Sequence, residues 1–161
     1  MMSPGVLDAA AALLDACRAR GWKLATAESC TGGLIAATLT AIAGASDVVD
    51  RGFVTYSNDA KLELLGVPDI TVTKHGAISE PVVRAMAEGA LARSRASLAI
   101  SVTGIAGPGG GTVDKPVGLV WFGLAQLGAP VHSERAIFPG DRTAIREATV
   151  AHALGLLRAR T

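Results

Sequence analysis

The chain has few aromatics, few cysteines and little net charge. Aromatic residues make up 4% of its 161 residues, so the core must be built from Ala, Val, Leu and Ile. The two cysteines, Cys17 and Cys30, form neither a metal-ligand spacing nor a disulfide framework. Fifteen basic and 14 acidic residues leave a formal charge of +1. That balance gives no support to a nucleic-acid partner, although a local basic pocket stays open. No uncharged apolar run reaches transmembrane length, so no membrane partner is expected. Met1-Met2-Ser3-Pro4 lacks a basic region followed by a signal-type apolar stretch, and a cytoplasmic location is expected. No His/Cys/Asp/Glu cluster has metal-ligand spacing.

Half the residues are hydrophobic and only 18% are charged, which excludes a disordered chain and supports a substantial core. The length suits one domain spanning residues 1–161. Ser3-Pro4 opens a first helix, with Val6, Leu7, Ala10, Leu13, Leu14 and Cys17 at helical spacing and a stop at Gly21. A first strand over Lys23 to Ala27 leads into a turn, then a second helix from Leu34 to near Gly44. Asp50 to Tyr56 is rich in strand formers. Ser57-Asn58 can cap a short helix closed by Gly66, and Ile70 to Gly76 is either loop or helical turn. Ser79-Glu80-Pro81 starts another helix, and Ala96 to Thr103 reads as a buried strand. A glycine-rich loop runs from Gly104 to Gly118, and a hairpin follows, with strands at Leu119 to Gln126 and Val131 to Phe138. Asp141 caps the last helix. This order predicts an α/β domain: three layers, α/β/α, around a central mixed and mostly parallel sheet with a late antiparallel hairpin.

Three segments follow strands and meet on one rim if those strands are parallel neighbours. The first is Glu28-Ser29-Cys30-Thr31-Gly32-Gly33. Amides at the start of the following helix suit an anion or an oxyanion, with Ser29 beside them as nucleophile. Alternatively, Ser29 is only a helix cap. The second segment is Tyr56 to Lys61. A neutral Lys61 in a buried site could take the Ser29 proton, whereas a solvated Lys61 could not. Tyr56 either orients the lysine, meets the substrate, or is a strand aromatic. Cys30 is a rival nucleophile or an inert buried thiol. None of His75, His132 and His152 lies in a motif that recommends it as the base. The third segment, Gly104 to Gly111, could cradle a phosphate but lacks the P-loop Gly-Lys-Ser/Thr ending. Arg142 could reach an anion or stand exposed.

Together these stretches resemble the C-terminal domain of the CinA family. The matching runs are Thr26 to Gly33, Arg51 to Asn58 with Lys61, His75 to Val83, Thr103 to Gly110, and Lys115 to Gly118. Gly140-Asp141-Arg142 also fits. The resemblance spans nearly the whole chain and rests on several motifs in order. It implies nicotinamide-nucleotide amidohydrolase activity: nicotinamide mononucleotide and water give nicotinate mononucleotide and ammonia, in pyridine-nucleotide salvage. It implies Ser29 as nucleophile, Lys61 as general base and Tyr56 as support for the lysine or the ring. Cys30, Thr31, Gly32, Gly33, Thr103 and Gly104 would surround the carboxamide and phosphoribosyl group, and Arg142 would contact the phosphate. The reaction requires no cofactor. A homo-oligomer, such as a dimer, is also implied. A non-catalytic nucleotide-binding or regulatory module is the alternative, and small-residue helix faces also suit an assembly protein.

Overall fold

A computed structural model describes residues 2–161. Among the described residues, six α-helices pack on one sheet of five strands. They are α1 (Pro4–Arg20), β1 (Leu24–Glu28), α2 (Leu34–Thr40), β2 (Val49–Val54), α3 (Asn58–Leu65), α4 (Asp69–His75), α5 (Glu80–Ala92), β3 (Leu98–Gly104), β4 (Leu119–Gln126), β5 (His132–Ile137) and α6 (Arg142–Arg158). The strand order is β2-β1-β3-β4-β5. β1 pairs in parallel with β2 and β3, whereas β4 runs antiparallel to both β3 and β5. The mixed sheet and late hairpin are therefore as expected.

Strand alternation sorts the core into two layers. Leu24, Leu98, Ile100, Val102, Val120, Phe122 and Leu124 face α1, α2 and α6. Ala25, Ala27 and Ala99 face α3, α4 and α5. The small side chains on the second face let α5 come close. Ser101 Oγ donates to the Val83 carbonyl at 2.7 Å. A Cβ on Gly123 would meet that same carbonyl oxygen at 2.5 Å, so β4 needs glycine there.

Most helix ends follow local chemistry. Gly21 and Gly66 terminate α1 and α3 in the left-handed conformation. Ser57 and Asp141 cap α3 and α6, accepting from the amides of Ala60 and Ala144. Ser3 precedes α1 without a side-chain cap bond. The ambiguous Ile70 region is helical, as α4. The second helix is shorter than expected, ending at Thr40. Thr38 and Thr40 hydroxyls donate back to the Leu34 and Ala36 carbonyls, a side-chain bond that favours bending over continuation.

This topology makes one rim. β1, β2 and β3 all end there, with Glu28 in register with Val54 and Val102. β4 begins there and β5 ends there, since Leu119 pairs with Ile137. The chain leaving β5 turns directly into α6, so the start of that helix joins the same rim.

Candidate active site

Ser29 follows β1 and is 9% exposed. Its amide donates to the Val102 carbonyl at 3.1 Å, and the Thr55 amide donates to the Glu28 carbonyl at 2.8 Å. These bonds extend the three parallel strands just past their ends. The nucleophile turn and the chain leading to α3 are thereby held side by side.

Lys61, on α3, is only 1% exposed. Its Nζ donates to Ser29 Oγ at 3.1 Å and to the Thr55 carbonyl at 2.9 Å. Longer contacts of 3.4 Å reach the carbonyls of Tyr56 and Ser57. The solvated-lysine alternative is therefore excluded. Burial pushes the Lys61 pKa below its ordinary value, because an ammonium loses hydration there.

Cys30 sits beside Ser29 with a different balance. Burial, with a smaller contribution from Glu28, pushes its thiol up to about 11. That shift disfavours the thiolate and supports the reading of Cys30 as an inert buried thiol over that of a rival nucleophile.

The start of α2 also departs from expectation. Its N-cap is Gly33, with φ of 103°, and no side chain caps it locally. Instead Glu28, fully buried, reaches over the turn from β1. Its carboxylate accepts from the amides of Ile35 at 2.8 Å and Ala36 at 3.0 Å, and from the Thr31 hydroxyl at 2.7 Å. The remaining first-turn amide, Leu34 N–H, donates to the Thr31 carbonyl. The α2 amides are thus occupied, and the idea that they hold an oxyanion is corrected. Ser29 is not the cap of this helix either. The amides of Cys30 and Thr31, within the turn, have no backbone acceptor among the described residues.

A cavity of about 300 Å³ opens over Ser29. Cys30, Tyr56, Ile78, Thr103 and Arg142 line it, together with Gly104 to Gly107 and Gly109-Gly110. Thr31, Gly32 and Gly33 are not on its wall; they shape the turn behind it. The Thr103 hydroxyl donates to the Ala77 carbonyl at 3.0 Å, tying the strand end to the approach of α5. Gly104 cannot carry a side chain, since a Cβ there would lie 2.7 Å from the Leu119 carbonyl oxygen. A larger surface groove of about 660 Å³ lies beside α5, lined by Glu80, Arg84 and Arg93. It contains no buried nucleophile and base, so the smaller cavity is the chemical candidate.

The start of α6 closes the site. Arg142 donates to the Gly107 carbonyl at 2.8 Å and to the Tyr56 hydroxyl at 3.0 Å. Tyr56 therefore meets Arg142 through its hydroxyl and Lys61 only through its backbone carbonyl. One turn later, Arg146 donates to the carbonyls of Cys30 at 3.2 Å and Thr31 at 2.9 Å. Sequence reasoning did not single out Arg146 or assign a role to Glu28. The i, i+4 spacing of Arg142 and Arg146 was the available signal for the former.

Fold and site together define a small α/β domain with a buried Ser–Lys contact at the carboxyl rim of its parallel strands. The model of the CinA C-terminal domain matches residues 7–161, and the chain belongs to that family. It is 52% identical over 143 residues to the nicotinamide-nucleotide amidohydrolase PncC of Escherichia coli strain K12, covering 89% of this chain and 87% of that protein. It is 55% identical over 139 residues to a CinA-like protein of Akkermansia muciniphila, covering 86% of this chain but 34% of that longer one. The chain thus spans about a third of that relative. The crystal structure of the competence/damage inducible protein CihA from Agrobacterium tumefaciens superposes with a TM-score of 0.97 at 49% identity, over 99% of this chain and 97% of that one.

Proposed function

We propose that this chain is an amidohydrolase that converts nicotinamide mononucleotide and water to nicotinate mononucleotide and ammonia. The observation that carries the mechanism is the buried contact of 3.1 Å between Lys61 Nζ and Ser29 Oγ. The similarity to PncC supports the substrate.

The surroundings of Lys61 suit a neutral amine. Such an amine has two N–H donors and one lone pair. The Thr55 carbonyl at 2.9 Å and a second carbonyl at 3.4 Å accept the donors, leaving the lone pair for the Ser29 proton. As Ser29 Oγ bonds to the amide carbon, its proton passes to Lys61. The amide of Cys30, which lines the cavity next to Ser29, would be available to the oxyanion, and one such donor is typically worth about 3–4 kcal/mol. Collapse of the tetrahedral intermediate breaks the C–N bond, and Lys61 gives its proton to the departing ammonia. Lys61, neutral again, takes a proton from water as that water attacks the acyl-enzyme. A second collapse releases the carboxylate product and returns the proton to Ser29.

Arg142 and the Gly104 to Gly110 loop would hold the phosphoribosyl end, away from the bond being broken. Binding there positions the amide. Tyr56 would form a wall for the ring.

The test is ammonia release from nicotinamide mononucleotide. The intact protein should turn over, and Ser29→Ala should lower the rate by about 10⁴-fold or more. No release by the intact protein, or an unchanged rate in the variant, rejects the reading.

A further inference from the structure

We propose that Ile78 is a specificity-determining residue, the apolar wall on which the ring of the carboxamide substrate lies, a role resting on the amidohydrolase reading above. Two of the ordered sequence motifs, His75 to Val83 and Lys115 to Gly118, take no part in the proton transfers. The fold brings them together beside the Ser29 cavity. Ala77 and Ile78 of the first motif line that cavity with Ser29, Cys30 and Tyr56.

The side chain of Ile78 is not used for packing the domain. It is half-buried, and among the described residues it belongs to neither core layer. The other apolar members of the wall near Ser29 are committed elsewhere: Cys30, Ile105 and Ala106 are buried. Tyr56, 60% exposed, and Ile78 are therefore the large uncharged side chains that the wall still offers a ligand. Part-exposed apolar surface in a concave site leaves water when the apolar face of a ligand covers it.

The backbone that carries Ile78 is clasped. Three successive carbonyls, those of His75, Gly76 and Ala77, accept from Lys115 Nζ at 3.0 Å, Ser79 Oγ at 2.8 Å and Thr103 Oγ1 at 3.0 Å. Ser79 is the N-cap residue of α5, yet its hydroxyl makes no cap bond and turns back to Gly76 instead. Gly76, with φ of 78°, also makes room for the lysine, since a Cβ there would stand 3.0 Å from Lys115 Nζ. The three donors come from the glycine-rich loop, the start of α5 and the end of β3. They tie the short connection between α4 and α5 to the rim that holds Ser29. A wall set in place beforehand loses little freedom when the ligand arrives.

The experiment uses two ligands that differ in the ring: nicotinate mononucleotide carries it and ribose 5-phosphate lacks it. Calorimetry measures the binding of each to the intact protein, Ile78→Val, Ile78→Ala and Lys115→Met. Ile78→Ala should weaken nicotinate mononucleotide by about 10-fold and Ile78→Val by about 3-fold, because each lost carbon removes apolar contact. Ribose 5-phosphate should bind all four proteins alike. Lys115→Met should show the same selective loss at smaller size, since two of the three clasps remain. With nicotinamide mononucleotide, kcat/KM of the Ile78 variants should fall by similar factors, while the pH midpoint of turnover, which reports Lys61, stays in place. Equal weakening of both ligands by Ile78→Ala, unchanged binding of nicotinate mononucleotide in that variant, or no binding of it by the intact protein overturns the proposal. Weakening of both ligands by Lys115→Met overturns the clasp. If nicotinate mononucleotide binds with this Ile78 dependence but no ammonia is released from nicotinamide mononucleotide, the amidohydrolase reading fails and the ring wall stands.

Discussion

Polar side chains are buried along the parallel half of the sheet, β2-β1-β3, and at its carboxyl ends. Thr26, Glu28, Ser29, Thr55, Lys61, Ser101 and Thr103 are all buried there. In the antiparallel half, β4 buries Leu119, Val120, Phe122 and Leu124, and β5 has no fully buried residue. Its polar group Glu134 stands near the surface, accepting from His132 and His152 at 2.8 and 2.7 Å. The contrast follows from where chains end. Parallel strands stop together and leave backbone groups facing one rim, where side chains and ligands can meet them. An antiparallel hairpin returns the chain, and its contribution is to carry the start of α6, with Arg142 and Arg146, back to that rim.

If this contrast is functional, damage to the parallel half should cost rate and damage to the antiparallel half only stability. After Ser29→Ala, the largest effect should come from Lys61→Arg. It keeps the charge but removes an accessible neutral base, so kcat should fall by about 10³-fold. In the intact protein, kcat should rise with pH at a midpoint below the ordinary lysine value of about 10.4. The sign is fixed by the buried amine: its folded pKa is lowered, the folded state sheds the proton first, and the neutral form is the base. Stability moves the same way, rising between the lowered folded value and about 10.4, where only the unfolded chain holds the proton. A pH–rate profile and denaturation across that window check both.

Next comes Glu28→Ala. It strands the Ile35 and Ala36 amides at the start of α2, so denaturant unfolding should show a loss of about 2–4 kcal/mol. Turnover should fall in the folded fraction as well, because the turn loses one of its two grips. Arg142→Ala should raise KM by about 10-fold or more with a smaller change in kcat, as expected for a group binding the remote phosphate. Equal losses in kcat and kcat/KM would instead place Arg142 at the reacting atoms.

Smallest of all should be Glu134→Gln. Hydrogen bonds from His132 and His152 hold the Glu134 carboxyl below the ordinary value. Its stabilisation is present above about pH 4.3 and is lost as pH falls through the lowered folded value. With the side chain 35% exposed, solvent screening limits this to less than about 1 kcal/mol. Turnover at neutral pH should not change. A large loss of rate in this variant would break the contrast between the two halves.

Much of this was legible locally. Gly21, Ser57, Gly66 and Asp141 mark helix ends because capping is settled by a few neighbouring residues. Ser29, Lys61 and Arg142 stood in recognisable segments, but their meeting required strand order. Glu28 was hidden because its partners lie seven and eight positions ahead, across a turn whose path only the fold defines. Arg146 was hidden because its partners lie more than a hundred residues away.

By itself, the sequence determined the alternation of helices and strands, the glycine-rich turns and the family to which the chain belongs. These depend on periodicity, local backbone freedom and ordered motifs. Only the tertiary structure decided that Lys61 is buried against Ser29, that Glu28 occupies the α2 amides, and that α6 returns to grip the turn. The reason is physical: desolvation and hydrogen-bond competition depend on every group packed around an atom, and those groups come from distant parts of the chain.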